Sequence, residues 1–244
     1  MKRIVSMAFL ALLAASAHAS EKPMYTAHVD LGDKASLQRG ARTFVNYCLR
    51  CHSAAFMRFS RMAEDLGLTE EQTEQNLMFV TDKIGSTMEV AMRPEDATQW
   101  MAAPPPDLSV IARARGADWL YSYLLTYYVD PARPTGVNNA TFKDSAMPHV
   151  LWELQGLQRP IIEKVKAHDG SDVEKITGFE VVTPGKQDAE AYRRTVRDLV
   201  NFLVYVGEPA KLVRTTIGFW VILFLVVFTA LAYLLKREYW KDVH

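Results

Sequence analysis

The chain has 244 residues and no net formal charge, since 28 Lys and Arg residues balance 28 Asp and Glu residues. Residues 20–210 carry 21 basic and 26 acidic residues, which gives this segment a net charge of −5. A segment of this length can bury a substantial core, but its negative charge repels nucleic acid and anionic lipid, so neither is expected as a partner.

The N-terminus has the pattern of a secretory signal peptide. Lys2 and Arg3 precede an apolar run over residues 4–15, and residues 17–19 (AHA) have the small side chains of a cleavage site. The apolar run is shorter than the ~20 residues that a membrane-spanning helix needs. We therefore predict a signal peptide over residues 1–19 and export of the residues that follow.

Hydrophobic periodicity and capping residues predict a mainly α-helical exported domain with long loops. The predicted helices cover residues 35–48, 69–80, 108–115, 117–128 and 189–209. Thr69 and Gln72 form a capping box at the start of the second helix, and Asp107 can cap the third. In the first helix Gly40 shares a face with Phe44, so another helix could approach closely there.

The only two cysteines of the chain lie in a C-x-x-C-H motif made of Cys48, Cys51 and His52. A disulfide would leave the histidine unexplained, a thioredoxin-type redox pair lacks its βαβ context, and a zinc site lacks a second pair of cysteines. Two thiols at this spacing can form thioether bonds with the vinyl groups of one haem, whose iron the adjacent imidazole can then bind. The motif therefore favours one covalently attached haem c.

A second axial ligand for the iron has several candidates. Met57 and Met62 follow the motif too closely to reach the opposite haem face, and Met78 lies on an apolar helix face that favours core packing. Met147 lies late in a polar loop, directly before Pro148, which stiffens the loop. The other candidates are Met88, Met92, Met101 and His149. Position alone favours Met147 and leaves the others open.

Strand patterns are scarce, and residues 158–187 favour neither a helix nor a strand. Residues 215–235 contain no charged residue, and at ~1.5 Å per residue they span about 31 Å, enough to cross a hydrocarbon core of ~30 Å. We predict a transmembrane helix over residues 211–236. Because the signal peptide exports the residues that follow it and the transmembrane helix stops their transfer, we expect residues 20–210 to form a periplasmic haem domain and residues 237–244 to form a cytoplasmic tail.

Several motifs occur in a fixed order along the chain. They are RGARTFVNYCLRCHS (39–53), APPPDLSVIARARGADWLYSYLLTYY (103–128), NNATFKDSAMPHVLWELQG (138–156) and RDLVNFLVYVGEP (197–209). With them the chain resembles the cytochrome c1 family, the haem subunit of the ubiquinol–cytochrome c reductase (bc1) complex, in its proteobacterial form. The resemblance implies a mainly α c-type cytochrome haem domain with long loops and insertions, plus one C-terminal transmembrane helix.

The resemblance also implies roles for single residues. The family's axial methionine falls on Met147, and its haem-propionate arginine falls on Arg115, with Arg113 as the near alternative. Trp119 stands where the family commonly has tyrosine, and an indole N–H can also donate to a propionate. The haem-edge prolines of the family's PPDL motif match Pro105 and Pro106.

The resemblance further implies a path for single electrons, from the Rieske iron–sulfur protein through the haem to a periplasmic c-type cytochrome. The chain would lie beside cytochrome b in a dimeric complex of the inner membrane, as a carrier subunit without a substrate site of its own. Ligation by His and Met leaves no open position for oxygen chemistry and raises the reduction potential. The acidic run around Glu64, Asp65 and residues 69–75 is a candidate docking surface for a basic cytochrome c, or a solvated helix face.

Two other functions remain open on the residues alone. One is a membrane-anchored mono-haem carrier that feeds a terminal oxidase directly, although such anchors are typically N-terminal. The other is a haem peroxidase or sensor, which needs a labile or absent sixth ligand.

Overall fold

The computed structural model describes residues 24–90, 92–101, 104–166 and 172–242. The predicted signal peptide and the last two residues of the predicted tail lie outside this part of the chain. The α-helices in chain order are α1 (Lys34–Thr43), α2 (Phe59–Leu66), α3 (Glu70–Leu77), α4 (Pro94–Met101), α5 (Ile111–Arg115), α6 (Ala117–Leu125), α7 (Trp152–Gln155), α8 (Ala189–Gly207) and α9 (Lys211–Tyr239). The strands are β1 (Ala54–Arg58), β2 (Thr87–Met88), β3 (Tyr127–Val129), β4 (Val137–Asn139), β5 (Gly156–Lys166) and β6 (Asp172–Pro184), paired antiparallel as β1–β2, β3–β4 and β5–β6.

The core forms around the crossing of α1 and α8. A Cβ atom on Gly40 would lie 2.1 Å from the carbonyl oxygen of Asp198 and 2.7 Å from Cβ of Phe202, so only glycine allows this approach. The close approach predicted at Gly40 is thereby confirmed. The rings of Phe44 and Phe202 pack with their centroids 5.6 Å apart, which fixes the end of α1 against the core.

Buried polar contacts accompany the apolar packing at this crossing. The buried carboxylate of Asp198 accepts hydrogen bonds from Ser36 Oγ and Arg39 Nε, each 2.6 Å away. The amide of Asn201 donates to the carbonyl oxygen of Asp30, which joins the segment before α1 to α8. These bonds set the register of the two helices, because they are satisfied in only one relative position.

The helices begin and end differently from the predictions at three places. The capping box at Thr69 and Gln72 is confirmed, but α3 ends at Leu77 rather than at residue 80. The prediction that Asp107 caps a helix is wrong, since α5 begins at Ile111 after an uncapped Val110. The helix predicted over residues 117–128 ends at Leu125, because β3 begins at Tyr127 and pairs with β4.

A long β-hairpin occupies most of residues 158–187, where the sequence favoured neither a helix nor a strand. Strands β5 and β6 pair from Gly156 opposite Pro184 to Lys166 opposite Asp172, with two irregularities of register. Most side chains on both faces are solvent-exposed. The alternation of polar and apolar residues that marks a half-buried strand is therefore missing.

Helix α9 has 29 residues with a mean hydropathy of 2.5 over its most apolar stretch, and it lies outside the core. By length and composition it can cross a membrane once. The predicted span over residues 211–236 falls within it. At its start, the carboxylate of Glu208 pairs with Arg214 and with Arg113 of α5, the latter at 3.8 Å.

Candidate haem-attachment site

The C-x-x-C-H motif forms one tight turn at the end of α1. A π-helical turn, Phe44–Cys48, continues α1, and the backbone N–H groups of Cys51 and His52 both donate to the carbonyl oxygen of Cys48, at 3.0 and 2.8 Å. No disulfide joins Cys48 to Cys51, so both sulfur atoms are available for thioether bonds. Burial, with a smaller contribution from Cys51, raises the pKa of the Cys48 thiol to about 12.

The imidazole of His52 is fixed in one tautomer. Its Nδ1 lies 2.7 Å from the carbonyl oxygen of Pro106. A carbonyl oxygen only accepts, so Nδ1 carries the proton and Nε2 keeps a free lone pair. Burial lowers the pKa of His52, against weaker opposing effects of Pro106 and Asp107, which keeps the ring neutral. A neutral imidazole held by its other nitrogen is the form in which histidine binds iron.

Residues 107–109 hold the backbone that follows the motif. The hydrogen bonds run from Leu108 N to Ser53 O (2.7 Å), from Ala55 N to Asp107 Oδ2 (2.9 Å) and from Phe56 N to Ser109 Oγ (3.1 Å). Asp107 thus links the segment before α5 to β1 by a hydrogen bond, rather than capping a helix as predicted from the sequence. Pro105 and Cys51 line one cavity of about 320 Å³, so the structure brings the predicted prolines and the motif together.

Met147 lies half-buried in the loop between β4 and α7, where its carbonyl oxygen accepts a hydrogen bond from Tyr127 Oη at 3.1 Å. The other candidate methionines have different surroundings. Met88 is fully buried in the core opposite Ala54 in β1, and Met101 is half-buried at the end of α4. Met92 lines the cavity beside Cys51, so it stays an alternative by location. The expected core packing of Met78 agrees with its burial.

Arg115 and Trp119 are brought together at the exposed end of α5 and the start of α6. The guanidinium carbon of Arg115 lies 5.0 Å from the centroid of the Trp119 ring and 5.9 Å from that of Phe142. Arg113 instead turns toward Glu208, its ion-pair partner. Of the two arginines weighed from the sequence, Arg115 is the one on the aromatic side, with a guanidinium available for an anionic group.

His149 packs against Tyr127, with parallel rings 4.8 Å apart. Burial lowers its pKa to about 4, against a weaker opposing effect of Gln155, so the ring is neutral. Sequence reasoning named His149 but missed its neighbours Tyr123 and Tyr127. The sequence signal was their spacing of four residues, which puts the two phenols on one face of the helix predicted over residues 117–128.

These groups suit a haem c by their chemistry. Two thiols lie within one turn, a neutral imidazole has a free Nε2, and a thioether is available on a separate loop. Across the part of the chain that the structure describes, no cluster of three or more His, Cys, Asp or Glu side chains could hold a metal ion. The zinc alternative lacks a second pair of cysteines in the sequence, whereas nitrogen and sulfur ligands are those of c-type haem iron.

Comparisons with known proteins agree with this chemistry. The model of the Cytochrome C1 family matches residues 25–173 and 180–243. The chain is 45% identical to "Cytochrome c1" of Allochromatium vinosum, with all of both chains covered. It is 47% identical to a Nitrosomonas europaea protein named "Ammonia monooxygenase gamma subunit", covering 99% of this chain and 100% of the relative. It is 27% identical to "Cytochrome b/c1" of Bradyrhizobium diazoefficiens, covering 87% of this chain and 34% of the relative. The chain belongs to the cytochrome c1 family and is the electron-transfer subunit of the bc1 complex, with one covalently attached haem c.

Proposed function

We propose that Cys48 and Cys51 form the two thioether bonds to the haem and that His52 and Met147 bind its iron. The observation that carries this proposal is the 2.7 Å contact between His52 Nδ1 and the carbonyl oxygen of Pro106. It orients the ring, fixes the proton on Nδ1 and leaves Nε2 as the ligand. The haem, when bound, supplies reversible one-electron chemistry.

The second axial ligand affects the reduction potential of the haem iron. A thioether such as that of Met147 stabilises Fe(II) and raises the reduction potential, which suits an acceptor late in a respiratory chain. His52 and Met147 together would also keep oxygen from the iron, which would separate this protein from a peroxidase or a sensor.

The remaining predicted residues hold the rim of the haem. The Arg115 guanidinium can make charge-assisted hydrogen bonds with a propionate, and the indole N–H of Trp119 can add a donor beside it. Pro105 and Pro106 would pack at the haem edge, where their rigid rings would exclude water without offering a competing N–H donor. The bond from His52 to Pro106 and the cavity shared by Cys51 and Pro105 support this placement.

The haem domain, residues 20–210, lies in the periplasm after removal of residues 1–19, and the tail 237–244 lies in the cytoplasm. In this arrangement the Rieske iron–sulfur protein delivers an electron to the haem, and a periplasmic c-type cytochrome removes it. Cytochrome b lies beside the single span in the inner membrane, within a dimeric complex. Helix α9 and the −5 charge of the exported segment support a membrane-bound domain that attracts a basic soluble partner.

The proposed docking surface for that basic partner excludes Asp65. Its carboxylate accepts hydrogen bonds from Arg61 Nε at 2.7 Å and Tyr205 Oη at 2.8 Å, so it serves the fold. Glu64, Glu70 and Glu71 are exposed and remain available. An acidic surface of this kind raises the association rate at low ionic strength and loses its effect as salt increases.

Purification of the full chain from membranes in mild detergent tests the proposed assembly. We expect cytochrome b and a Rieske protein to co-purify, and a short pulse of quinol to reduce the haem c of this chain. A haem chain that co-purifies with a terminal oxidase, without cytochrome b, would contradict the assembly and support an oxidase-linked carrier instead.

A further inference from the structure

Two tyrosines from α6 and β3 contact the Met147 loop at three points. Tyr123 Oη lies 2.8 Å from Ser145 Oγ. Tyr127 Oη lies 2.6 Å from Tyr123 Oη and 3.1 Å from the carbonyl oxygen of Met147. The Tyr127 ring also stacks on His149. Ser145, Met147 and His149, which are every second residue of this part of the loop, therefore each contact one of the two tyrosines.

The single hydroxyl proton of Tyr127 has two acceptors, Tyr123 Oη at 2.6 Å and the carbonyl oxygen of Met147 at 3.1 Å. The carbonyl oxygen only accepts, so its contact with Tyr127 is a hydrogen bond when the Tyr127 proton points to it. In that arrangement Tyr123 donates to Tyr127 Oη and Ser145 donates to Tyr123 Oη. Hydrogen bonds in such a chain polarise one another, and Tyr127 is almost fully buried, so each bond is stronger than an exposed one.

We infer that Tyr127, supported by Tyr123, is a positioning residue that holds the sulfur of Met147 at the iron. The inference rests on the proposed ligation by Met147. A bond to the backbone of the ligand residue itself limits how far the loop can withdraw, and it does so without touching the sulfur. Loss of the bond therefore loosens the ligand but leaves its chemistry unchanged.

The rest of the loop is held by other contacts, so a change at Tyr127 leaves the loop folded. Asn139 Oδ1 accepts from the backbone N–H groups of Thr141 and Phe142, at 2.9 and 3.0 Å. Arg133 and Asp144 form an ion pair at 3.2 Å. These contacts secure the first half of the loop, whereas the tyrosine pair secures the half that carries the methionine.

The test compares Tyr127→Phe with Tyr192→Phe in the purified complex. Tyr192 is also buried, and its hydroxyl donates to the carbonyl oxygen of Leu124 at 2.9 Å, which lies in α6 and not in the loop that carries Met147. Both variants lose a buried phenol-to-carbonyl hydrogen bond, and Tyr127→Phe also loses the contact with Tyr123 Oη, so both should melt at a lower temperature and Tyr127→Phe at the lower of the two. Only Tyr127→Phe should weaken the far-red charge-transfer band of the ferric protein and raise the fraction of ferrous protein that binds carbon monoxide, by about fivefold for one such bond.

Tyr123→Phe should give a smaller rise in carbon monoxide binding, because it removes only the support of Tyr127. If Tyr127→Phe matches Tyr192→Phe in both the band and the carbon monoxide fraction, the positioning role is wrong. The variant Met147→Leu shows whether the tyrosine's role alone is wrong or whether Met147 is not the ligand at all. A band that survives in Met147→Leu overturns the ligation itself, whereas a band lost there but intact in Tyr127→Phe overturns only the role of the tyrosine.

Discussion

Gly40→Ala should destabilise the haem domain although alanine is the better helix former. The added methyl carbon would lie 2.1 Å from the backbone oxygen of Asp198, about 1 Å closer than van der Waals contact permits. That oxygen belongs to the backbone of α8, so it cannot rotate away as a side chain could. The two helices would have to separate by about 1 Å, which weakens the packing of Phe44 on Phe202.

The magnitude follows from the contacts at the crossing. Separation strains the buried hydrogen bond from Ser36 Oγ to the Asp198 carboxylate, and a bond to a charged group contributes about 1.5–3 kcal/mol. Overpacking costs about 1–3 kcal/mol more, while the helix propensity of alanine returns about 1 kcal/mol. A net loss of about 3 kcal/mol lowers the melting temperature of a domain of this size by about 6–12 °C.

Thermal unfolding followed by circular dichroism measures this loss, and haem staining on a denaturing gel measures attachment, since Cys48 lies in the π-helical turn that continues α1. The matched control is Gly85→Ala, because a Cβ atom on the exposed Gly85 meets nothing within 4 Å. If Gly40→Ala and Gly85→Ala melt within about 1 °C of each other and attach haem equally, the reasoning about the crossing is wrong.

Three further predictions concern the haem and the topology. Met147→Leu should lower the reduction potential by a sizeable part of the ~0.8 V range that axial ligands span, and redox titration beside Met88→Leu checks it, since a drop in the Met88 variant alone would reassign the ligand. Changing both Cys48 and Cys51 to Ala should abolish covalent haem, and staining at this chain's mass in the double variant would contradict the attachment. A reporter active only in the periplasm should be silent when fused after His244, and active when fused after residue 210; activity at His244 would reverse the proposed orientation.

Local patterns in the sequence predicted the parts of the fold that depend on local interactions. The capping box at Thr69 requires only residues within one helical turn. The uncharged stretch of α9 can be recognised from its composition alone. The hairpin of β5 and β6 could not be found in this way, because neither of its faces is consistently buried and no alternation marks it. The early end of α6 depends on the pairing of β3 with β4, which is a tertiary effect.

The same difference between local and distant interactions applies to the haem-attachment site. The C-x-x-C-H motif predicts haem attachment because its chemistry depends on spacing within one turn. The tautomer of His52 depends on a backbone oxygen 54 residues later, so no pattern of side chains reveals it. Asp107 had the sequence context of a helix cap, yet its carboxylate also accepts from the backbone N–H of Ala55. A short polar side chain can satisfy either a local or a distant donor, and the sequence does not distinguish the two.

Glu208 links the end of α8 to both α5 and α9. Its carboxylate pairs with Arg214 at the start of α9 and with Arg113 of α5. Both arginine side chains are largely exposed, so each ion pair contributes little to stability and weakens as salt increases. The consequence is for orientation: at low ionic strength the two pairs favour one angle between α9 and the domain, and at high ionic strength this preference is lost.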